Sequence, residues 1–199
     1  MADIAASVLA KLKNKAKATG ISYQQCLQLF FQEEFLRRLA GSKYAENFVL
    51  KGGLFIYTLT NFESRATVDV DFLLRHLPGT VEDVKKIVDE IIAVDCGNDF
   101  ITFTSRGFEM ISPQRKYKGV SFQLVGHIKN TRTPFDVDFG IGDVIVPNSQ
   151  SRRIPVQLDG FDSPEVMTYS LESTIAEKFD ALLQRMELTS RMKDIYDIY

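Results

Sequence analysis

The spacing of hydrophobic residues predicts two helices at the start of the chain. In residues 2–18, apolar residues recur at helical spacing with lysines on the opposite face, and Gly20 is a typical end signal. Ser22 and Gln25 form a capping box that begins a second helix, which we expect to end near residue 40. The apolar stripe of that helix consists of Leu27, Phe30, Phe31, Phe35 and Leu36.

The pattern changes to short strands and helices after residue 46. Residues 48–50 form a predicted strand, Gly52-Gly53 begins a helix that ends near residue 59, and Thr80 caps another helix. Extended segments alternate apolar and polar residues with a period of two, which predicts antiparallel or mixed pairing. These segments are residues 67–74, 99–111, 119–129 and 133–146, with a short strand expected at Ile154–Leu158.

The order of elements predicts an α+β fold, in which a mixed sheet with packed helices is flanked by N- and C-terminal helices. We expect a helical segment over residues 1–45 packed on a core over residues 46–160. Residues 161–199 form the start of a C-terminal helical region, with a helix over Ser170–Glu187. Because the helical pattern still continues at Tyr199, we expect the chain to be truncated there.

Composition and charge exclude several classes of protein. Hydrophobic residues make up 45% of the chain, with 15 Phe and 7 Tyr, which is ample for a folded core. The net charge of −2 excludes a uniformly basic nucleic-acid-binding protein. Cys26, Cys96, His76 and His127 are too scattered for a zinc site, and no apolar run approaches a membrane span. We therefore expect a cytoplasmic protein with free thiols.

Asp69 and Asp71 lie on one face of the predicted strand over residues 67–74. Val68, Val70 and Phe72 alternate with them and share the other face. Two neighbouring carboxylates repel each other unless they are solvated or bridged by a cation, and Mg²⁺ prefers such oxygen ligands. The pair alone is more often the polar side of a half-exposed strand.

A second pair, Asp136 and Asp138, repeats this layout on a later strand. If the two strands are neighbours, three or more carboxylates converge, which requires cations or raised pKa values. A two-metal site for displacement at phosphorus needs such a cluster. Asp138 is the preferred third ligand, beside Asp69 and Asp71, although the choice between Asp136 and Asp138 stays open.

Gly52 and Gly53 stand where a strand passes directly into a helix. Glycines allow close approach of a ligand to the backbone, and the free N–H groups of a helix N-terminus attract phosphate. Lys51 adds a cation beside this turn, and Arg65 and Thr67 precede the aspartate strand as further candidate phosphate contacts. An ordinary left-handed turn and a solvated loop are the alternative interpretations.

The later helix contains an apolar stripe formed by Ile175, Phe179 and Leu182. Lys178 lies beside this stripe, so it can point towards the sheet. Asp194 follows in the last segment and shares a helical face with Asp197. Surface salt bridges are the alternative explanation for these charges.

The chain resembles the AbiEii/AbiGii nucleotidyltransferase toxins of type IV toxin–antitoxin and abortive-infection systems. The resemblance covers nearly the whole chain and rests on three segments: "ISYQQCLQLFFQEEFLRRLAGSKYAENFVLKGG", "RATVDVDF" and "ESTIAEKFDALLQR" with "SRMKDIYDIY". It implies a polymerase-β-like nucleotidyltransferase core, nucleoside triphosphate (NTP) substrates, Mg²⁺ or Mn²⁺, a tRNA acceptor and a cognate antitoxin.

The resemblance also implies roles for individual residues. Gly52 and Gly53 correspond to the phosphate-holding turn, and Asp69 and Asp71 to the metal ligands. The other two matches are Lys178, which corresponds to a lysine that contacts the triphosphate, and Asp194, which corresponds to an aspartate proposed to be catalytic.

One departure from the family pattern concerns Leu54, where the family often has Ser or Thr after the glycines. The main hypothesis is therefore a Mg²⁺-dependent transferase of nucleoside monophosphate, and the alternative is an inactive nucleotide- or antitoxin-binding module on the same fold. A metal-dependent nuclease or phosphatase would not need the glycine turn.

Overall fold

The computed structural model describes residues 3–64, 67–77, 80–111, 119–141, 145–146, 148–183 and 195–197. The helices are α1 (Ile4–Thr19), α2 (Tyr23–Ala40), α3 (Gly52–Leu59), α4 (Val81–Ile92) and α5 (Leu171–Leu183). The strands are β1 (Phe48–Lys51), β2 (Asp69–Leu74), β3 (Thr102–Ile111), β4 (Gly119–Ile128), β5 (Thr131–Ile141), β6 (Gln150–Arg153) and β7 (Glu165–Thr168).

The strands form one mixed sheet in the order β3-β4-β5-β2-β1-β7-β6. β3, β4 and β5 form an antiparallel meander, β5 pairs with β2 in parallel, and β2 pairs with β1 antiparallel. β1 then pairs with β7 in parallel, and β6 closes the other edge. The predicted α+β class with a mixed sheet is confirmed.

Helix α2 packs on the apolar face of the sheet and supplies much of the core. Its aromatic residues meet those of the strands: the ring centroids of Phe35 and Phe72 are 6.1 Å apart, and those of Phe31 and Phe103 are 6.2 Å apart. A Cβ added to Gly126 on β4 would lie 2.2 Å from the Phe31 ring. The small residue therefore lets the helix approach the sheet closely.

Several local predictions are confirmed by hydrogen bonds at the ends of helices. The Ser22 hydroxyl accepts from the backbone N–H of Gln25, and Thr80 caps α4 by accepting from Asp83. Gly20 ends α1 with a φ of 77°, the left-handed conformation that glycine adopts without steric cost.

The apolar stripe predicted for α2 covers only part of its buried surface. The structure buries the whole circumference of this helix from Cys26 to Leu39, including the side chains of Glu33, Glu34, Arg37 and Arg38. Arg37 pairs with Glu33 and Glu34, and Arg38 pairs with Glu34. These ion pairs allow charged residues to sit in the interior, since each charge has a partner.

One prediction about the second half of the chain was wrong. The strand expected at Ile154–Leu158 is absent, and the short strands β6 and β7 lie on either side of that segment. Since β7 lies beyond residue 160, the sheet extends into the region predicted to be helical.

The apolar stripe of α5 faces outward in the structure. Ile175 and Phe179 are exposed, whereas Ser173 and Thr174 are buried. The reason is polar anchoring: the Ser170 hydroxyl donates to the carbonyl of Val146, and the Ser173 hydroxyl accepts from the Val146 N–H. These bonds turn the polar side of the helix towards the rest of the protein.

Among the helices that the structure describes, none combines the length and the apolar character that a membrane crossing requires.

Candidate active site

Gly52 lies where β1 passes directly into α3, and its backbone has a φ of 67°. A Cβ added there would lie 2.2 Å from Oδ2 of Asp71. Any side chain would therefore meet both a strained backbone and the carboxylate. Gly52 was predicted to allow close approach of a ligand, and in the structure it allows close approach of the Asp71 carboxylate.

The N-terminus of α3 begins beside that carboxylate. Lys51 occupies the N-cap position without a side-chain hydrogen bond to the helix, and the first turn contains no acidic residue. The first turn of the helix thus keeps the partial positive charge that favours anions. Leu54 is buried in the core and contributes no polar group.

Strands β2 and β5 bring the predicted carboxylates together in two in-register pairs. Asp69 lies opposite Asp136, and Asp71 lies opposite Asp138. The register extends on both sides, since Lys51 lies opposite Asp71 on β1 and Ser121 lies opposite Asp138 on β4. Cross-strand neighbours share one face of a sheet, so this face forms a polar row across four strands.

The environment of Asp71 opposes ionisation. Burial raises its pKa to about 7, the Asp138 carboxylate adds to this effect, and the Lys51 ammonium counteracts it. Burial also raises the pKa of Asp138, while a hydrogen bond that the Ser121 hydroxyl donates to Oδ1 of Asp138, at 2.6 Å, lowers it. The cluster therefore calls for additional positive charge.

The chemistry of this donor set fits a hard divalent cation. Asp69, Asp71 and Asp138 offer only carboxylate oxygens, which Mg²⁺ prefers. The raised pKa values of Asp71 and Asp138 show that neighbouring protein charges do not fully compensate these two carboxylates. As their side chains stand, no three His, Cys, Asp or Glu residues in the described part of the chain already surround a common ion position.

Lys51 lies on β1 beside the carboxylates, and Lys178 lies on α5. Lys51 Nζ donates to Glu177 of α5 at 2.8 Å and stands 5.4 Å from the centroid of the Tyr169 ring. Lys178, the next residue on α5, donates to Asp197 at 2.7 Å, and both side chains are largely buried. The Lys178 side chain is therefore largely enclosed beside the Asp197 carboxylate, and its direction towards the sheet stays a prediction.

Helix α2 fixes the start of the aspartate strand. The side-chain amides of Gln28 and Gln32 both donate to the carbonyl of Val68, at 2.8 and 2.7 Å. Asp69 follows directly, so two hydrogen bonds from the central helix set the position of the first carboxylate. Val68 itself is exposed and does not share the buried face with Val70, contrary to the sequence prediction.

The remaining predicted residues differ in what the structure shows. Thr67 is buried just before β2, whereas Arg65 and Asp194 lie outside the described residues. Sequence reasoning did not select Ser121, Glu177 or Asp197 for the site. The sequence offered one signal for Asp197 as a partner of Lys178: its helical spacing of three residues from Asp194.

The fold is shared with two solved structures. It matches a Helicobacter pylori protein assigned as a nucleotidyltransferase, with a TM-score of 0.52 and 15% identity, over 89% of this chain and 67% of that one. JHP933 from Helicobacter pylori gives a TM-score of 0.54 at 15% identity, over 89% and 65% of the two chains. The present chain thus spans about two thirds of the length of these proteins.

Residues 34–199 match the family described as nucleotidyl transferase AbiEii toxin, type IV toxin–antitoxin system. The protein therefore belongs to the AbiEii nucleotidyltransferase toxins. None of the curated proteins matches the chain.

Proposed function

We propose that the protein transfers a nucleoside monophosphate from an NTP to the 3′ end of a tRNA, with Mg²⁺ or Mn²⁺ as the cofactor. The in-register carboxylate pairs beside Gly52 and the α3 N-terminus support this proposal most directly. They combine a candidate cation site with an anion-binding helix end, as transfer from a triphosphate requires.

Asp69, Asp71 and Asp138 would hold the metal, which when bound neutralises charge on the transferred phosphate. The N-terminus of α3, with Gly52 and Gly53, would bind the β- and γ-phosphates. Lys51 and Lys178 would exchange their carboxylate partners for phosphate oxygens, because a triphosphate brings more negative charge than one carboxylate.

In the reaction, the acceptor hydroxyl oxygen attacks the α-phosphorus, a new P–O bond forms and the bond to pyrophosphate breaks. The hydroxyl proton must leave during the attack. Asp138 can accept it, because its carboxylate lies opposite Asp71 at the reacting end of the site. Asp194 is the alternative acceptor that the family resemblance suggests. A cognate antitoxin would restrain this activity in the cell.

The test is transfer of label from each of the four NTPs to total tRNA in the presence of Mg²⁺. The wild-type protein should label RNA, and Asp71→Asn should reduce labelling by on the order of 100-fold, since it removes an anionic ligand at the reacting phosphate. Asp89→Asn, an exposed aspartate on α4, is the matched control. Unchanged labelling by Asp71→Asn would contradict the proposed site, and NTP binding without transfer to any RNA would favour the inactive binding module.

A further inference from the structure

An open pocket of about 380 Å³ adjoins the carboxylates on the β3–β4 side of the sheet. It is lined by Arg106, Gly107, Phe108, Glu109, Ser121, Gln123 and Asp136. Ser121 is the residue that donates to Asp138, and Asp136 is the register partner of Asp69. The pocket therefore lies directly beside the proposed metal ligands, and neither the metal nor the triphosphate would occupy it.

The direction of the reaction distinguishes the two sides of the carboxylate row. In-line displacement requires the attacking and leaving oxygens to lie on opposite sides of the phosphorus. The candidate triphosphate contacts, Lys51 and the α3 N-terminus, lie on the β1 side of Asp71. The attacking hydroxyl must then approach from beyond Asp138, over β4 and β3, where the pocket lies.

The charges in the pocket suit a nucleotide better than a triphosphate. Glu109 and Asp136 would repel a second polyphosphate, but their oxygens can accept hydrogen bonds from ribose hydroxyls and exocyclic amines. Arg106 is the one cation among the described lining residues, enough for a single phosphodiester. Gln123 offers both a donor and an acceptor to a base edge.

The backbone supports a special role for Arg106. The register between β3 and β4 shifts between Ser105 and Gly107, so Arg106 is the extra residue of a β-bulge. Gly107, which follows it, has a φ of 154°. Bulges redirect side chains and recur beside active sites. This bulge gives the pocket its exposed guanidinium.

We propose that this pocket binds the terminal nucleotide of the acceptor RNA, with Arg106 at its phosphate and Gln123 at its base. The inference rests on the proposed function and deepens it, because it assigns the acceptor to particular residues of β3 and β4. It also explains why the polar face of the sheet continues two strands beyond the carboxylates.

The experiment measures kcat and the KM values for tRNA and for NTP in Arg106→Ala and Gln123→Glu. Both variants should raise the KM for tRNA about tenfold, as expected for losing one charged or base-specific hydrogen bond. The KM for NTP should not change. Gln123→Glu keeps the size of the side chain but adds a repulsive charge, so a loss of fold cannot explain its effect.

Arg132→Ala is the matched control. Arg132 is exposed on the same face of β5 but lies four residues from Asp136, roughly 13 Å along the strand. The KM of the Arg132→Ala variant for tRNA should equal that of the wild-type protein. An unchanged KM for tRNA in both pocket variants, or a rise in the KM for NTP instead, would overturn the inference alone. If the wild-type protein transfers no nucleotide, the proposed function fails and the inference fails with it.

Discussion

Asp71 has the most unfavourable environment of the predicted metal ligands. Its carboxyl is enclosed by Gly52, Lys51 and the carboxylates of Asp69 and Asp138, and its pKa is raised to about 7. A buried acid with a raised pKa destabilises the folded protein when it is ionised. This candidate metal ligand therefore lowers the stability of the metal-free protein.

This cost predicts a pH-dependent gain of stability in Asp71→Asn. The folded state binds the Asp71 proton more tightly than the unfolded state, so the penalty is absent near pH 4 and complete above pH 7. At pH 8 with EDTA, the variant should unfold with a free energy about 1–2 kcal/mol higher than that of the wild type. The difference should shrink as the pH falls from 7 towards 4.

Urea unfolding at pH 8 and pH 4.5 measures the effect, with Asp89→Asn as the control for removing an exposed carboxylate. A variant that is no more stable than the wild type at pH 8 would contradict this account of Asp71.

The candidate metal ligands were predictable because a period of two along a strand is local information. The alternation of neighbouring residues marked the two aspartate pairs, Asp69 with Asp71 and Asp136 with Asp138, and the pairing of β2 with β5 brings them together. Ser121 and Glu177 were not predictable, since their importance depends on partners far away in the sequence. Ser121 lies opposite Asp138 in the sheet, and Glu177 of α5 accepts from Lys51 of β1. The choice of Asp138 as third ligand stays a prediction, now favoured by its position opposite Asp71.

At the scale of elements, the link between α2 and β2 matters most for the site. Gln28 and Gln32 are buried on the central helix, and both donate to the carbonyl that precedes Asp69. The helix thereby acts on the candidate active site through the backbone of the strand.

Gln32→Ala should lower the free energy of unfolding by about 1–3 kcal/mol, because it removes a buried hydrogen bond and leaves a small cavity. Transfer activity should also fall, since the start of β2 loses one of its two anchors. Gln24→Ala, on an exposed position of the same helix, should change neither quantity. Equal stability of the two variants in urea would contradict the anchoring role.

Sequence patterns predicted the long elements, as well as β1 and α3, but missed the short strands β6 and β7. α1, α2 and α4 have clear capping residues, and the β3–β4–β5 meander alternates over about ten residues per strand. β6 and β7 have four residues each, and the exposed sequence QSRR of β6 contains no apolar position. Such strands form because neighbouring strands offer free hydrogen-bonding edges, which no local pattern records.

At the scale of the whole molecule, the charged residues of α2 connect distant parts of the chain. Arg37 donates to the carbonyl of Asp162 at 2.8 Å, and Arg38 donates to that of Ile101 at 2.7 Å. Glu34 accepts from both arginines and from Asn98, and burial raises its pKa. One helix turn thus joins the segment after α4 to the loop before β7.

Glu34→Ala should lower the free energy of unfolding by about 3–5 kcal/mol, because it leaves two buried arginines without their shared partner. The matched control is Glu90→Ala, which removes the solvent-exposed pair with Lys43 and should have a much smaller effect. Urea unfolding of both variants provides the comparison. Similar losses of stability would contradict the expected larger contribution of the buried ion pairs of α2.

The pairing of β1 with β7 has a consequence for synthesis of the protein. β1 presents Lys51 to the carboxylates, yet one of its two edges stays open until Glu165–Thr168 have left the ribosome. An open apolar edge in the middle of a sheet invites pairing with other chains. Both strands that carry the candidate carboxylates, β2 and β5, therefore leave the ribosome before the strand that covers this edge.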